Sequence, residues 1–108
     1  MLSIVIPAYN EEKMILKTTE VVSGIMEREK IPFELVFVND GSKDQTWKMI
    51  EKAAEKNSHV TGIRFSRNFG KESALFAGLA NAEGDCIAVM DCDLQHPPET
   101  LVEMYRLW

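Results

Sequence analysis

An excess of basic charge is missing from this sequence: 12 lysines and arginines stand against 17 aspartates and glutamates, a formal net charge of -5 with a pI of about 5.0. Nucleic-acid binders collect phosphates with a basic face, so that class of partner is excluded. Long apolar runs are missing as well. The longest are a few residues, whereas a bilayer span needs about 20, and a strand pattern already begins at Leu2 where a secretory leader would lie. Cysteine is scarce. Cys86 and Cys92 have neither the Cys-x-x-Cys spacing of zinc and redox motifs nor the number needed for a disulfide framework, which favours a reducing, cytoplasmic setting. The two histidines, His59 and His96, have no thiol or second imidazole at a ligand spacing, so both read as structural or surface residues. No Gly-x-Gly-x-x-Gly follows the first strand and no Gly-x-x-x-x-Gly-Lys occurs, which disfavours a dinucleotide oxidoreductase and a P-loop enzyme.

What is present is a regular alternation. Four apolar runs rich in branched residues, Leu2–Pro7, Phe33–Val38, Val60–Phe65 and Asp85–Met90, read as strands. Between them, apolar residues recur every three or four positions: Met14, Ile15, Thr18, Val22, Ile25 and Met26, then Trp47, Ile50 and Ala54, then Leu75, Gly78, Leu79 and Ala82. A fourth helix follows Pro97 and Pro98 with Leu101, Met104 and Tyr105 facing inward. Asn10 and Asp44 stand where the first two helices need caps, and Gly84 stands where a left-handed residue would end the third. The pattern predicts an α/β fold, a doubly wound, mainly parallel sheet with helices on both faces. The 108 residues form one unit, without repeats or linkers, able to bury roughly two-thirds of its unfolded surface. Leu107 and Trp108 fall within an apolar helical pattern that has no stop signal, so the chain is expected to be the N-terminal part of a longer protein.

In an open parallel sheet, ligands bind beyond the carboxyl ends of the strands. Three segments lie there: Pro7–Glu12, Asn39–Ser42 and Asp91–Gln95. They gather Tyr9, Glu11, Asp40, Asp91, Asp93 and Gln95 at one edge, more polar groups than core packing requires. In an extended segment Asp91 and Asp93 would project to the same side, with Gln95 adding an oxygen at the next such position. Hard oxygen donors of this kind suit Mg²⁺ or Mn²⁺, which would also make a diphosphate acceptable in an acidic cleft. A solvated turn or a helix cap competes with that reading. Cys92, between the acids, should point away from them. Asp40 at a strand tip can accept from a ribose hydroxyl or a base N–H, or form an Asx-turn with its own backbone. Tyr9 offers a face for a planar base, and Glu11 an acceptor near a helix start. Arg67 or Lys71 could reach a phosphate, or simply be solvated.

The ordered segments "IVIPAYNEE", "VFVNDGSKDQT", "SRNFGKESAL" and "MDCDLQHPPE" together resemble the nucleotide-sugar-binding half of family 2 glycosyltransferases with the GT-A fold. Within that family they are most similar to the dolichyl- and polyprenyl-phosphate sugar transferases. The resemblance implies that Pro7, Tyr9, Glu11, Val38, Asp40 and Asp91 surround the nucleoside. It implies that Asp91, Asp93 and Gln95 hold a Mg²⁺ or Mn²⁺ ion with the diphosphate. Asn39 and Cys92 depart from the family pattern, in which aspartate and alanine are usual, without removing a proposed ligand. The implied activity is inverting transfer of a sugar from a UDP- or GDP-sugar to a polyprenyl phosphate, at the cytoplasmic face of a membrane reached through downstream segments. Transfer to a polysaccharide hydroxyl, and a non-catalytic nucleotide-binding module, are the alternatives. No catalytic base is identifiable.

Overall fold

Leu2, Ile4, Ile6 and Ala8 alternate with Ser3, Val5 and Pro7, and all but the partly exposed Pro7 are buried, because this strand lies inside the sheet with helices on both sides. The computed structural model describes residues 1–95 and 97–108; the reading of His96 lies outside the described residues. Strands β1 (Leu2–Ala8), β2 (Phe33–Asn39), β3 (Val60–Arg64) and β4 (Cys86–Val89) alternate with helices α1 (Ile15–Arg28), α2 (Thr46–Lys56), α3 (Lys71–Asn81) and α4 (Glu99–Leu107). The sheet order is β3-β2-β1-β4 and every pairing is parallel, as the near-continuous apolar strands require.

Register sorts the core into two layers. Leu2, Ile4 and Ile6 align with Phe33, Leu35 and Phe37, and Leu2 and Ile4 with Cys86 and Ala88, so these side chains share one face. There they pack with Ile15, Val22 and Met26 of α1, Ile50 and Ala53 of α2, and Leu101 and Val102 of α4. Each large side chain fully buried in this way stabilises the fold by about 1.5–3 kcal/mol. The opposite face is smaller: Val5, Val36 and Val38 pack against Ala74 of α3. His59 stacks on Phe33, with ring centroids 4.3 Å apart.

The predicted elements are present, and several details differ. In α3 the buried stripe is Ala74 and Gly78, while Leu79 is 44% exposed and Phe76 74% exposed. The reason is close approach. A Cβ on Gly78 would lie 2.3 Å from Val5 Cγ1, so small residues let the helix backbone settle on β1 and the larger ones are turned outward. Met104, expected inside, is partly exposed because Leu101 and Val102 take the buried positions of α4. Asn10 does not cap α1. It adopts φ +53° and accepts a hydrogen bond from the Lys43 N–H at 2.9 Å, and the helix begins later, at Ile15. Asp44 is not the N-cap of α2, which is Gln45, but it stands just before that residue and accepts the Thr46 N–H at 2.9 Å. Gly84 is not among the left-handed residues. It is small because its Cβ would lie 2.6 Å from the Met1 carbonyl oxygen, and its N–H donates to Ser3 Oγ at 2.7 Å. Pro98 leads into α4, and the carbonyls of Pro97 and Pro98 accept from the Thr100 and Leu101 N–H groups. Among the described residues, no helix is long and apolar enough to cross a membrane.

Candidate functional site

The chain leaves β1 toward β2 on one side, whereas β4 joins β1 on the other, so the connections diverge at the carboxyl end of β1 and open a crevice there. A cleft of about 320 Å³ occupies it, lined by Pro7, Ala8 and Tyr9 from the end of β1, Glu11, Asp40 after β2, Lys71 at the start of α3, and Asp91, Cys92 and Asp93 after β4. Six of the residues singled out in the sequence therefore meet at one place: Pro7, Tyr9, Glu11, Asp40, Asp91 and Asp93. Two do not. Val38 is fully buried against Val5, Val36 and Ala74, so its side chain is turned away from the cleft by the strand alternation that places its neighbours in the core. Gln95 is exposed and is not part of the cleft lining.

The position of Gln95 follows from local backbone geometry. The segment after β4 is not extended: it turns at Cys92 and Asp93, and Leu94 adopts φ +59°. A left-handed residue breaks the same-side alternation that would have carried Gln95 along with the two aspartates. Asp91 and Asp93 share the cleft because of the turn. Its inner residue, Cys92, points into the core as expected, and its carbonyl accepts the Thr18 hydroxyl at 2.6 Å. Burial pushes the Cys92 thiol up to about 12, helped by the carboxylates of Glu11 and Asp93, so it stays protonated and serves as neither nucleophile nor thiolate ligand.

Asp40 is 4% exposed, and it does not fold back on its own backbone. Its carboxylate accepts the Phe69 N–H at 2.8 Å and the Gly70 N–H at 3.1 Å, and its carbonyl accepts from Asn68 Nδ2 at 3.3 Å. Gly41, at φ +67°, makes the contact possible, since a Cβ there would lie 2.1 Å from the Arg67 carbonyl carbon. The loop after β3 is thus pinned to the tip of β2, and Gly70, at φ +100°, turns it into α3 with Lys71 at the helix start. Of the two cations considered for a phosphate, Lys71 enters the cleft, while the Arg67 guanidinium lies over the Phe69 ring at 4.6 Å. The tie from Asp40 to Phe69 and Gly70 was not anticipated. Its only trace in sequence is a carboxylate at a strand tip followed by glycine.

The electrostatics are those of crowded acids. Burial raises the Glu11 pKa above its ordinary value, and Asp93, Asp44 and Asp91 raise it further. Asp91 is relieved by Lys71, whose Nζ lies 3.1 Å from Oδ1. Among the described residues no three Asp, Glu, His or Cys side chains form a ready-made ligand group. The donor set nevertheless fits a divalent cation of the Mg²⁺ type, which is commonly held by one or two carboxylates together with substrate phosphates rather than by an all-protein cage. A second, larger groove of about 640 Å³ adjoins the cleft at Lys71 and Asp91, with Ile87, Val89, Pro97 and Met104 among its walls. It lacks the convergent carboxylates, so the smaller cleft is the candidate site.

Comparison with known proteins bears on the family and the fold. The family model described as Glycosyl transferase family 2 matches residues 3–108. The uncharacterized glycosyltransferase YkcC of Bacillus subtilis (strain 168) is 44% identical over 106 residues, which are 98% of this chain and 33% of that protein. The bactoprenol glucosyl transferase of Shigella phage SfV is 42% identical over 107 residues, 99% of this chain and 35% of that protein. The chain therefore spans about a third of the length of the curated relatives it matches. Among solved structures, the mannosyltransferase PcManGT from Pyrobaculum calidifontis, in complex with GDP-Man and Mn²⁺, superposes with a TM-score of 0.83 at 26% identity, covering 97% of this chain and 31% of that one. TarS of S. aureus in complex with UDP-GlcNAc superposes with a TM-score of 0.72 at 31% identity, covering 97% of this chain and 30% of that one.

Proposed function

This chain belongs to glycosyl transferase family 2, and on that premise we propose that it is the nucleotide-sugar-binding part of an enzyme that moves a sugar from a UDP- or GDP-sugar to a polyprenyl phosphate. The observation that carries the proposal is the convergence of Tyr9, Glu11, Asp40, Asp91 and Asp93 on one cleft at the point where the strand connections diverge. Tyr9, half-exposed at the cleft mouth, offers its ring to the base. Pro7, Glu11 and Asp40 line the nucleoside side, and Val38 contributes only backbone. Asp91 and Asp93 hold the divalent cation, Mg²⁺ or Mn²⁺, with Gln95 outside the set as the chain stands. That ion, when bound, supplies positive charge to the departing nucleoside diphosphate. The donor class is supported by the GDP-Man and UDP-GlcNAc bound in the two structural neighbours, and the acceptor by the bactoprenol glucosyl transferase relative.

The chain's own residues orient the donor and keep its reacting bond beside the crevice, where an acceptor can approach opposite the leaving group and invert the anomeric centre. A phosphate acceptor is already anionic, so it needs no strong base, which agrees with a cleft whose described lining offers carboxylates, one of them paired with Lys71. The test is to titrate UDP and GDP into the protein with and without Mn²⁺. Mn²⁺ is expected to tighten binding in the wild type, and Asp93→Ala is expected to lose most of that gain. Equal affinity in Asp93→Ala and wild type, with Mn²⁺ present, overturns the assignment.

A further inference from the structure

Lys71 stands apart from the rest of the cleft because it is the cation among the described lining residues, which otherwise include Glu11, Asp40, Asp91 and Asp93. Its base is fixed and its tip is exposed to solvent. Asp40 grips the Phe69 and Gly70 N–H groups, which sets where α3 begins, while the ammonium rides on a flexible stem that is 63% exposed. The tip rests 3.1 Å from Asp91 Oδ1, at the boundary shared by the cleft and the adjoining groove. Any divalent cation that uses Asp91 must compete with it.

We propose that Lys71 is a positioning residue that acts as an internal counter-ion: it opposes a bare cation at Asp91, and it passes from Asp91 to the diphosphate when cation and nucleotide arrive together. This rests on the reading of Asp91 and Asp93 as the cation-holding carboxylates. A bare ion displaces the ammonium from its partner and then sits beside it, so binding is weakened on both counts. A cation bound to a nucleoside diphosphate brings new anionic oxygens, to which the displaced ammonium can turn. The cleft thereby prefers the cation–diphosphate pair to either component, which is a positive coupling between two ligands carried by one side chain.

The experiment measures free Mn²⁺ by electron paramagnetic resonance and UDP and GDP affinity by calorimetry, with and without Mn²⁺, in wild type, Lys71→Met, Lys71→Arg and Asp93→Ala. Removing an exposed ion pair should let Lys71→Met bind Mn²⁺ alone about two- to fivefold more tightly. The same variant should bind nucleoside diphosphate in saturating Mn²⁺ about three- to tenfold more weakly. Lys71→Arg should restore both. Since Lys71 is on the surface, an unchanged unfolding midpoint in Lys71→Met would separate these effects from misfolding. Mn²⁺ affinity that is unchanged or weaker in Lys71→Met, while Asp93→Ala abolishes Mn²⁺ binding, would overturn the counter-ion role and leave the cation site standing. Mn²⁺ binding indifferent to Asp93→Ala would instead overturn the underlying site. Tighter Mn²⁺ with undiminished nucleotide affinity would overturn the transfer of the ammonium to the diphosphate.

Discussion

Replacing Asp40 by alanine should destabilise the fold by about 3 kcal/mol. Its carboxylate accepts two backbone N–H groups, from Phe69 at 2.8 Å and Gly70 at 3.1 Å. Hydrogen bonds to a charged acceptor are worth about 1.5–3 kcal/mol each. The two donors lie on a loop whose side chains are largely exposed, so water can reach them once the acceptor is gone, which places the sum near the lower end of the range. Asp40→Asn keeps one oxygen but aims an NH₂ group at the other donor, and should lose about 1–2 kcal/mol. For a domain of this size Asp40→Ala then lowers the melting temperature by roughly 12–20 °C. Urea unfolding followed by tryptophan fluorescence gives the energies, and amide exchange at Phe69 and Gly70 reports on the two bonds themselves. An Asp40→Ala variant within about 0.5 kcal/mol of wild type, with those amides still protected, would show that the loop is held by something else.

Two glycines in helices should respond with opposite sign. Gly78→Ala is expected to lose about 1–3 kcal/mol, because the added Cβ meets Val5 Cγ1 at 2.3 Å, whereas Gly24→Ala, with nothing within 4 Å of the new atom, should gain about 0.5–1 kcal/mol by helix propensity; denaturation midpoints decide both. Asp44→Ala should lose about 1 kcal/mol at neutral pH through loss of the hydrogen bonds that its carboxylate accepts from the Thr46 and Glu12 N–H groups. Burial opposes ionisation of Asp44, but hydrogen bonds from Thr46 and the Glu12 N–H hold its pKa below the ordinary 3.8. An acid whose folded pKa is depressed contributes stability above its ordinary value and loses it as the pH falls through the folded one. The gap between wild type and Asp44→Ala should therefore narrow below about pH 3.8, and a gap that widens in acid would contradict this account.

The sheet was readable because three of its strands, β1, β2 and β4, are largely apolar on both faces, a signal that does not depend on partners. Ile4, Val5 and Ile6 could not all be buried in anything but an internal strand. The convergence of Asp40, Asp91 and Asp93 was readable too, since parallel strands deliver their following loops to one edge. What escaped the sequence were contacts made by the backbone. The expected stripe of α3, Leu75, Gly78, Leu79 and Ala82, includes Gly78, where the helix touches β1, but misses Ala74 and wrongly buries Leu79, because hydrophobicity carries no information about close approach. Asp40 binds amides 29 and 30 positions away, and no local turn rule anticipates that. Gln95 was misplaced by assuming extended backbone through Leu94, a residue type that rarely adopts φ +59°.

β1 has β2 on one flank and β4 on the other: Leu2 pairs with Phe33 and with Cys86, and the N-terminal ammonium lies 2.8 Å from Asp85. During synthesis, which proceeds from the N-terminus, the first of these partners leaves the ribosome long before the second. Throughout that interval the nascent chain carries a largely apolar strand with a bare row of peptide groups, ready to accept any passing extended segment. Only when the stretch between Gly70 and Cys86 has followed can β4 cover the Leu2–Val5 part of that flank.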